Sequence, residues 1–430
     1  MASYPQKVRL AFESPVTIRQ QQEMLLAAHL QQCAKSPFYA PVLKKIRLAG
    51  RKRISLDVLQ DLPLASKADF EKDNLAFLAV EKTKIRDIVQ SSGTTGLPTQ
   101  MMYTARDLTR LAYNEAICFK GCGMTKADRV LLTCTMDRCF VAGYAYCLGT
   151  HAVGAASIRS GLNLVEGHAS VIGLMQPSFI VGVPGFLRKL GRHLHERGEP
   201  PKGVRGLICI GEPLRDEWMR STALTEEIET LWKAPAFSTY SSSEIVTSFC
   251  ECSAQQGGHA APDLGIVEIV DKRGLALPIG EVGEVVVTPL GVEGMPVIRF
   301  RTGDIGYLLD EPCSCGRRTV RLSPILGRRA QMLKVKGTTF YPATVFEVLN
   351  GIPDVTEYFL SISNEESGDG VHVTLSLSKD TPDLRRKILD ALLARLRVRV
   401  NISVVDEPTI RKQVYVPQSR KPIRFFDLRK

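Results

Sequence analysis

No stretch of this 430-residue chain approaches the ~20 consecutive apolar residues that a membrane span requires, so a soluble protein without a membrane partner is expected. The opening residues, Met1 to Arg9, lack the apolar run of a secretory signal, which leads us to expect a reducing, cytoplasmic setting. There the eleven cysteines would stay thiols or ligands, since disulfides persist mainly in oxidising compartments. Internal repeats and low-complexity tracts are absent. Helix-turn-helix, zinc-finger and RNP signatures are missing too, so the net charge of +11 is not taken as a nucleic-acid footprint.

What is present is the composition of an ordinary globular protein, 44% hydrophobic and 23% charged. A single core stops growing at about 250–300 residues, so one large and one small domain are expected. Much of the positive surplus sits in residues 381–430, with 13 Lys and Arg against 5 Asp and Glu, a difference of 13 − 5 = 8. A solvated basic face would account for it, and so would a lid that meets a polyanion. Cys118, Cys122, Cys134, Cys139 and Cys147 stand among apolar neighbours and read as small buried hydrophobes.

Apolar positions at helical spacing mark covering helices over residues 16–33 and from Leu108 to Phe119. Short apolar runs at 129–134, 179–183 and 206–210 predict buried strands of an α/β sheet. Past Pro262 the texture becomes β-rich, with strands expected at 265–270, 283–288 and 297–300 separated by Gly-rich turns. From Met332 the order strand, helix (342–349), strand (358–363), strand (371–377), helix (384–396), strand (402–405) predicts a small α+β domain. The second of these helices is expected to gather Leu384, Ile388, Leu389, Leu392, Leu393 and Leu396 on one face, leaving its arginines for the surface.

The most informative segment is Ser91, Ser92, Gly93, Thr94, Thr95, Gly96, Leu97 and Pro98 after the strand-like Ile88-Val89. Small hydroxyl and glycine residues let backbone N–H groups approach phosphate oxygens closely. The spacing and lysine of a Walker A loop are absent, and a flexible Ser/Gly turn would also fit. Further on stand Gly211-Glu212-Pro213-Leu214, Tyr240-Ser241-Ser242-Ser243-Glu244, Arg299-Phe300-Arg301-Thr302-Gly303-Asp304 and Gly327-Arg328. With these motifs in this order, the chain from about Leu64 onward resembles the acyl-adenylate-forming ligase superfamily, and within it the phenylacetate–coenzyme A ligase family.

The resemblance implies a large N-terminal α/β adenylation domain at residues 1–327 with a β-rich subdomain, plus a mobile α+β lid at 328–430. It implies ATP-dependent activation of an aromatic carboxylic acid as its acyl-adenylate, then transfer to a thiol, coenzyme A first among acceptors. Ser91 to Gly96 would hold phosphate; Gly211, Glu212, Pro213, Tyr240, Ser241 and Ser243 would line the adenine side, the Tyr240 ring stacking on the base. Glu244 supplies a hard carboxylate for Mg²⁺, and Asp304, expected on a tight Thr-Gly-Asp turn, an acceptor pair for the ribose diol, with Arg328 beside it. Lys421 falls where the family carries a lysine that steadies the charge growing at the α-phosphate; Arg420 and Lys412 stand close in the same basic tail. Phe140, Ala142, Gly143, Tyr144, Ala145, Val183 and Pro184 occupy the stretches that line the acyl pocket, though plain core packing would use the same residue types.

A second constellation, Cys252-x₆-His259 and Cys313-x-Cys315, offers the ligands of a closed tetrahedral structural Zn²⁺ site in a subdomain at about 245–320. Free thiols beside an ordinary imidazole, a disulfide, or Cys250 in place of Cys252 would fit the same residues. The chain departs from the family pattern at Leu97 and Thr99, where a lysine is common, at Ala330 in the hinge, and at Phe346, where an acid is usual. The alternatives are a stand-alone aryl-acid adenylating enzyme serving a carrier protein or amine, a nucleotidyltransferase such as occurs among similar proteins, and a noncatalytic zinc-containing nucleotide-binding protein, the last favoured only by the missing loop lysine and hinge charge. The oligomeric state is not legible; a dimer fits as well as a monomer.

Overall fold

The computed structural model describes residues 7–45, 52–91, 99–335, 338–365, 368–416 and 422–429. Ser92, Gly93, Thr94, Thr95, Gly96 and Lys421 therefore lie outside the described residues. The chain forms two units, one of Met1–Ser221, Thr225–Thr302 and Gly306–Pro324, the other of Thr222–Leu224, Gly303–Ile305 and Ile325–Lys430.

The first unit opens with α1 (Pro15–Cys33), started by Ser14, whose hydroxyl accepts the Thr17 N–H, and by Pro15 at the first helical position. Short helices α2 (Ala40–Leu43) and α3 (Lys67–Lys72) follow. Strands β1 (Ile85–Gln90) and β2 (Gln100–Thr104) pair antiparallel with Gln90 opposite Gln100. Thr104 and Asp107 form a capping box that launches α4 (Ala105–Gly121). Strands and helices then alternate: β3 (Arg129–Leu132), α5 (Val141–Val153), β4 (Ala156–Arg159), α6 (Val165–Met175), β5 (Phe179–Gly182), α7 (Pro184–Glu196), β6 (Gly206–Ile210), α8 (Ala223–Trp232), β7 (Ala236–Ser242) and β8 (Thr247–Cys250).

Strands β3 to β8, with β9 (Gly258–His259), β13 (Leu308–Leu309) and β14 (Arg321–Leu322), form a nine-stranded sheet in the order β13-β14-β9-β8-β7-β6-β5-β3-β4, parallel from β3 through β7 and antiparallel from β7 to β9. The central strands are buried on both faces, as their unbroken apolar runs predict. β10 (Gly265–Val270) and β11 (Gly283–Pro289) pair antiparallel, followed by β12 (Phe300–Gly306), β13 (Leu308–Leu309) and β14 (Arg321–Leu322). The expected strand at 297–300 begins only at Phe300. Val297 and Ile298 are buried in a bend that ends at Arg299, whose φ of 46° breaks an extended run.

In the second unit, β15 (Gly327–Arg328) pairs with the end of β12, Asp304 opposite Arg328. A hairpin of β16 (Leu333–Val335) and β17 (Thr338–Phe340) leads to α9 (Pro342–Asn350) and to β18 (Val355–Glu365), β19 (Gly368–Leu377), α10 (Pro382–Leu396), β20 (Asn401–Val404), α11 (Glu407–Val414) and β21 (Phe425–Asp427). The sheet order is β20-β19-β18-β21. Its core joins Leu360, Val373, Ile388 and Leu392, the last two from the apolar face predicted for α10. Phe346 packs against that core and the Tyr358 ring, which accounts for an aromatic residue where an acid is usual. The architecture is the large α/β plus small α+β arrangement expected from the sequence.

Candidate active site

Ser91 and Thr99, at the two ends of the segment expected to hold phosphate, are joined by paired hydrogen bonds. Ser91 N–H donates to the Thr99 carbonyl at 2.9 Å, Thr99 N–H to Ser91 Oγ at 3.3 Å, and the two hydroxyls meet at 2.5 Å. Thr99 Oγ1 then donates to Glu244 Oε1 at 3.2 Å, in a buried contact between residues 145 positions apart. The loop base and the carboxylate expected to serve Mg²⁺ are thus one hydrogen-bonded group. Glu244 stands in the turn between β7 and β8, and Tyr103 on β2 donates its hydroxyl to the Ser243 carbonyl at 2.9 Å. Tyr240 keeps a half-buried ring beside Phe249, centroids 6.0 Å apart, while Ser241 Oγ donates to the Thr247 carbonyl at 2.9 Å and so braces the hairpin.

Gly211 adopts φ 81°, a conformation that favours glycine, and leaves Gly211 and Pro213 exposed. Glu212 accepts the Gly185 N–H at 2.8 Å, capping α7, whose first residues follow Val183. Of the acyl stretches, Ala145 is buried and Ala142 packs against the apolar cluster of Phe119, Leu132 and Phe179. Phe140, Tyr144 and Val183 keep exposed surface. Gly143 is obligatory for packing, since a Cβ there would lie 2.1 Å from the Thr135 carbonyl oxygen.

Asp304 lies within β12 and not on a tight turn; Gly303 beside it takes φ 76°, a conformation that favours glycine, without ending the strand. Its carboxylate is 3.3 Å from Arg328 Nε, so Arg328 holds Asp304 in the register of β12 and β15. Both other arginines of the motif are structural. Arg299 binds Glu268 and the carbonyls of Leu62 and Gly274, and Arg301 binds Glu284 at 2.6 Å. Much of the basic tail is likewise paired inside the second unit, Arg424 with Glu357, Arg429 with Asp369 and Arg395 with Glu347.

Cys252, His259, Cys313 and Cys315 come together with all ligand atoms within 4.8 Å of one another. Cys252 and Cys313 sulfurs are 3.6 Å apart, well beyond the ~2.05 Å of a disulfide, and all eleven cysteines are free. His259 Nε2 faces Cys315 Sγ at 3.4 Å, while Nδ1 meets Thr319 Oγ1 at 3.0 Å, an outer hydrogen bond of the kind that orients a metal-bound imidazole. Burial, with Arg317 and Arg321 nearby, brings that imidazole down to about 3, so it is neutral. Cys250 does not join: its sulfur is 3.7 Å from that of Cys122. Three thiols and a neutral imidazole, nearly enclosed, fit a tetrahedral soft or borderline cation.

A family model described as AMP-binding enzyme matches residues 24–292, more than half of the chain. The chain belongs to the AMP-binding enzyme family. This AMP-binding enzyme is 28% identical over 455 residues to the phenylacetate–coenzyme A ligase of Thermus thermophilus, covering 100% of both chains. To the Escherichia coli phenylacetate–coenzyme A ligase it is 28% identical, covering 87% of this chain and 86% of that one. Its fold matches a crystal structure of 2-hydroxyisobutyryl-CoA ligase with a TM-score of 0.85 at 19% identity, over 97% of this chain and 91% of that one. The AMP-binding enzyme is thus a phenylacetate–coenzyme A ligase-like member of the acyl-adenylate-forming ligases, which activates a carboxylic acid with ATP.

In the sequence Thr99 stands out only where a lysine is common, and neither Tyr103 nor Arg110 belongs to a recognised motif. Arg110 is a fully buried charge on α4, donating to the carbonyls of Leu290, Val246 and Leu264 and to Thr247 Oγ1. Its signal was available: it stands between Leu108 and Leu111 on a stretch read as apolar. Among the described residues, no helix is long and apolar enough to cross a membrane.

Proposed function

We propose that this enzyme converts an aromatic carboxylic acid to its coenzyme A thioester through a bound acyl-adenylate. The observation that carries the reading is the Ser91–Thr99–Glu244 group, which unites a phosphate-loop base with a single hard carboxylate. Glu244 would hold Mg²⁺, whose charge offsets that of the phosphate oxygens. Tyr240 would face the adenine and Asp304 the ribose. Ser92 to Gly96 and Lys421 complete the proposed set, with Lys421 at the α-phosphate where the substrate carboxylate attacks. Residues 328–430 would act as the lid that supplies Lys421. Phe140, Tyr144 and Val183 would bound a flat ring. Cys252, His259, Cys313 and Cys315 would hold a structural Zn²⁺. The aromatic assignment draws on the relatives named phenylacetate–coenzyme A ligase, and coenzyme A is favoured as acceptor on the same ground.

The test is acid-dependent ATP–pyrophosphate exchange over benzoates, phenylacetates, fused-ring acids and short hydroxy acids, followed by coenzyme A, carrier-protein and amine acceptors. Exchange with an aromatic acid and thioester formation with coenzyme A are expected. Exchange confined to short aliphatic acids would remove the aromatic assignment, and none with any acid would remove the ligase reading. Lys421→Ala is expected to lower exchange by about 10²- to 10³-fold.

A further inference from the structure

The segment that leaves the phosphate loop returns to the Glu244 turn at three successive points. Thr99 Oγ1 donates to the Glu244 carboxylate, Tyr103 Oη to the Ser243 carbonyl, and Arg110 Nη1 to the Val246 carbonyl. Tyr103 and Arg110 are both buried, on β2 and α4 respectively. The turn they grip is not one the backbone adopts freely: Val246, a β-branched residue, has φ 49°. Such a conformation persists only where its surroundings over-determine it. Arg110 also binds Thr247 Oγ1 and the carbonyls of Leu264 and Leu290, anchoring the turn to residues flanking β10 and β11. A planar fork with several fixed donors suits that task, whereas a lysine offers one point of attachment.

We propose that Tyr103 and Arg110 are positioning residues for adenylation, holding the Ser243–Val246 turn so that the Glu244 carboxylate stays in fixed relation to the phosphate-loop base. The proposal rests on the reading of Glu244 as the magnesium carboxylate. Tyr103→Phe isolates one bond, because the ring remains and only the hydroxyl that reaches Ser243 is lost. Arg110→Lys keeps the charge and removes the fork.

The experiment measures ATP–pyrophosphate exchange by the full-length enzyme against free Mg²⁺, together with melting temperature, for wild type, Tyr103→Phe, Arg110→Lys, Glu244→Gln and the Tyr103→Phe/Glu244→Gln double variant. Tyr103→Phe is expected to raise the half-saturating Mg²⁺ concentration or lower the maximal rate by about 3- to 10-fold, with a larger loss in Arg110→Lys. In the Glu244→Gln background, Tyr103→Phe should lower the melting temperature by as much as it does in the wild-type background and leave the residual exchange unchanged. A Tyr103→Phe enzyme that melts earlier yet keeps wild-type rate and Mg²⁺ dependence would overturn the positioning role and leave the magnesium reading standing. A Glu244→Gln enzyme with unaltered Mg²⁺ dependence would remove the magnesium reading and the proposal with it.

Discussion

Strand β8 runs only from Thr247 to Cys250, yet its two ends carry different chemistry. Before it stands the Glu244 turn, where a carboxylate meets the Thr99 hydroxyl; beyond it Cys252 begins the thiol and imidazole cluster. In the proposed site the first end would supply a single hard anionic ligand to Mg²⁺ and leave the remaining positions to phosphate oxygens and water. The second offers four soft or borderline ligands, enough to close a tetrahedron. On the proposed reading, one short strand separates an open arrangement suited to turnover from a closed one suited to holding the chain in place.

The comparison breaks most sharply at the hard end. Glu244→Gln should lower ATP–pyrophosphate exchange by about 10²- to 10³-fold, while metal analysis finds the same zinc content as wild type. At the soft end the effects should reverse. Cys313→Ser should reduce zinc from about one equivalent per chain to near none and lower the melting temperature, with a smaller loss of exchange than Glu244→Gln when both are assayed well below melting. Less than half an equivalent of zinc in the wild type would refute the metal reading.

The middle of the strand is held by Glu115, which accepts Ser248 Oγ at 2.6 Å and the Asn114 amide at 2.9 Å, with Oε2 buried and without a partner among the described residues. Burial pushes its carboxyl up to about 7, helped by Cys250 and opposed by the Ser248 and Asn114 bonds. The folded state thus binds a proton that the unfolded state releases near 4.5, so the stabilisation is complete below that pH and is lost as pH rises through 7. Denaturant midpoints should fall more steeply between these pH values for wild type than for Glu115→Gln, and parallel curves would sink the assignment. A Cβ at Gly149 would lie 2.3 Å from that of Glu115, so Gly149→Ala should cost about 1–3 kcal/mol by overpacking α4 against α5, read as a lowered denaturant midpoint. The smallest effect is expected for Cys250→Ser, which should keep its zinc, because that sulfur lies with Cys122 and outside the four-residue cluster.

How much of this was legible depended on whether the signal was local. The α10 helix, the strands β5 and β6, and the order of the motifs follow from period and residue type alone. Between Cys250 and Cys252 the sequence left a choice, since residues two apart in a strand share a face; β8 ends at Cys250, and the chain beyond it turns Cys252 toward Cys313. The run at 297–300 reads as a strand because Val297, Ile298 and Phe300 are apolar, whereas the hydrogen bonds of Arg299 to Leu62, Gly274 and Glu268 favour a bend. Arg328 has no local sign of its attachment to Asp304, which the pairing of β12 and β15 creates.

By itself the sequence determined the α/β and α+β division, the hydroxyl-and-glycine loop, and the residue types able to handle phosphate and a thiophilic metal, because these depend on side-chain chemistry and short-range periodicity. Only the tertiary structure decided that Thr99 reaches Glu244, that Tyr103 and Arg110 grip its turn, and that Cys252 and not Cys250 completes the thiol cluster. Those pairings join residues far apart in the chain. A hydrogen bond acts over about 3 Å, so nothing short of the folded path brings its two ends together.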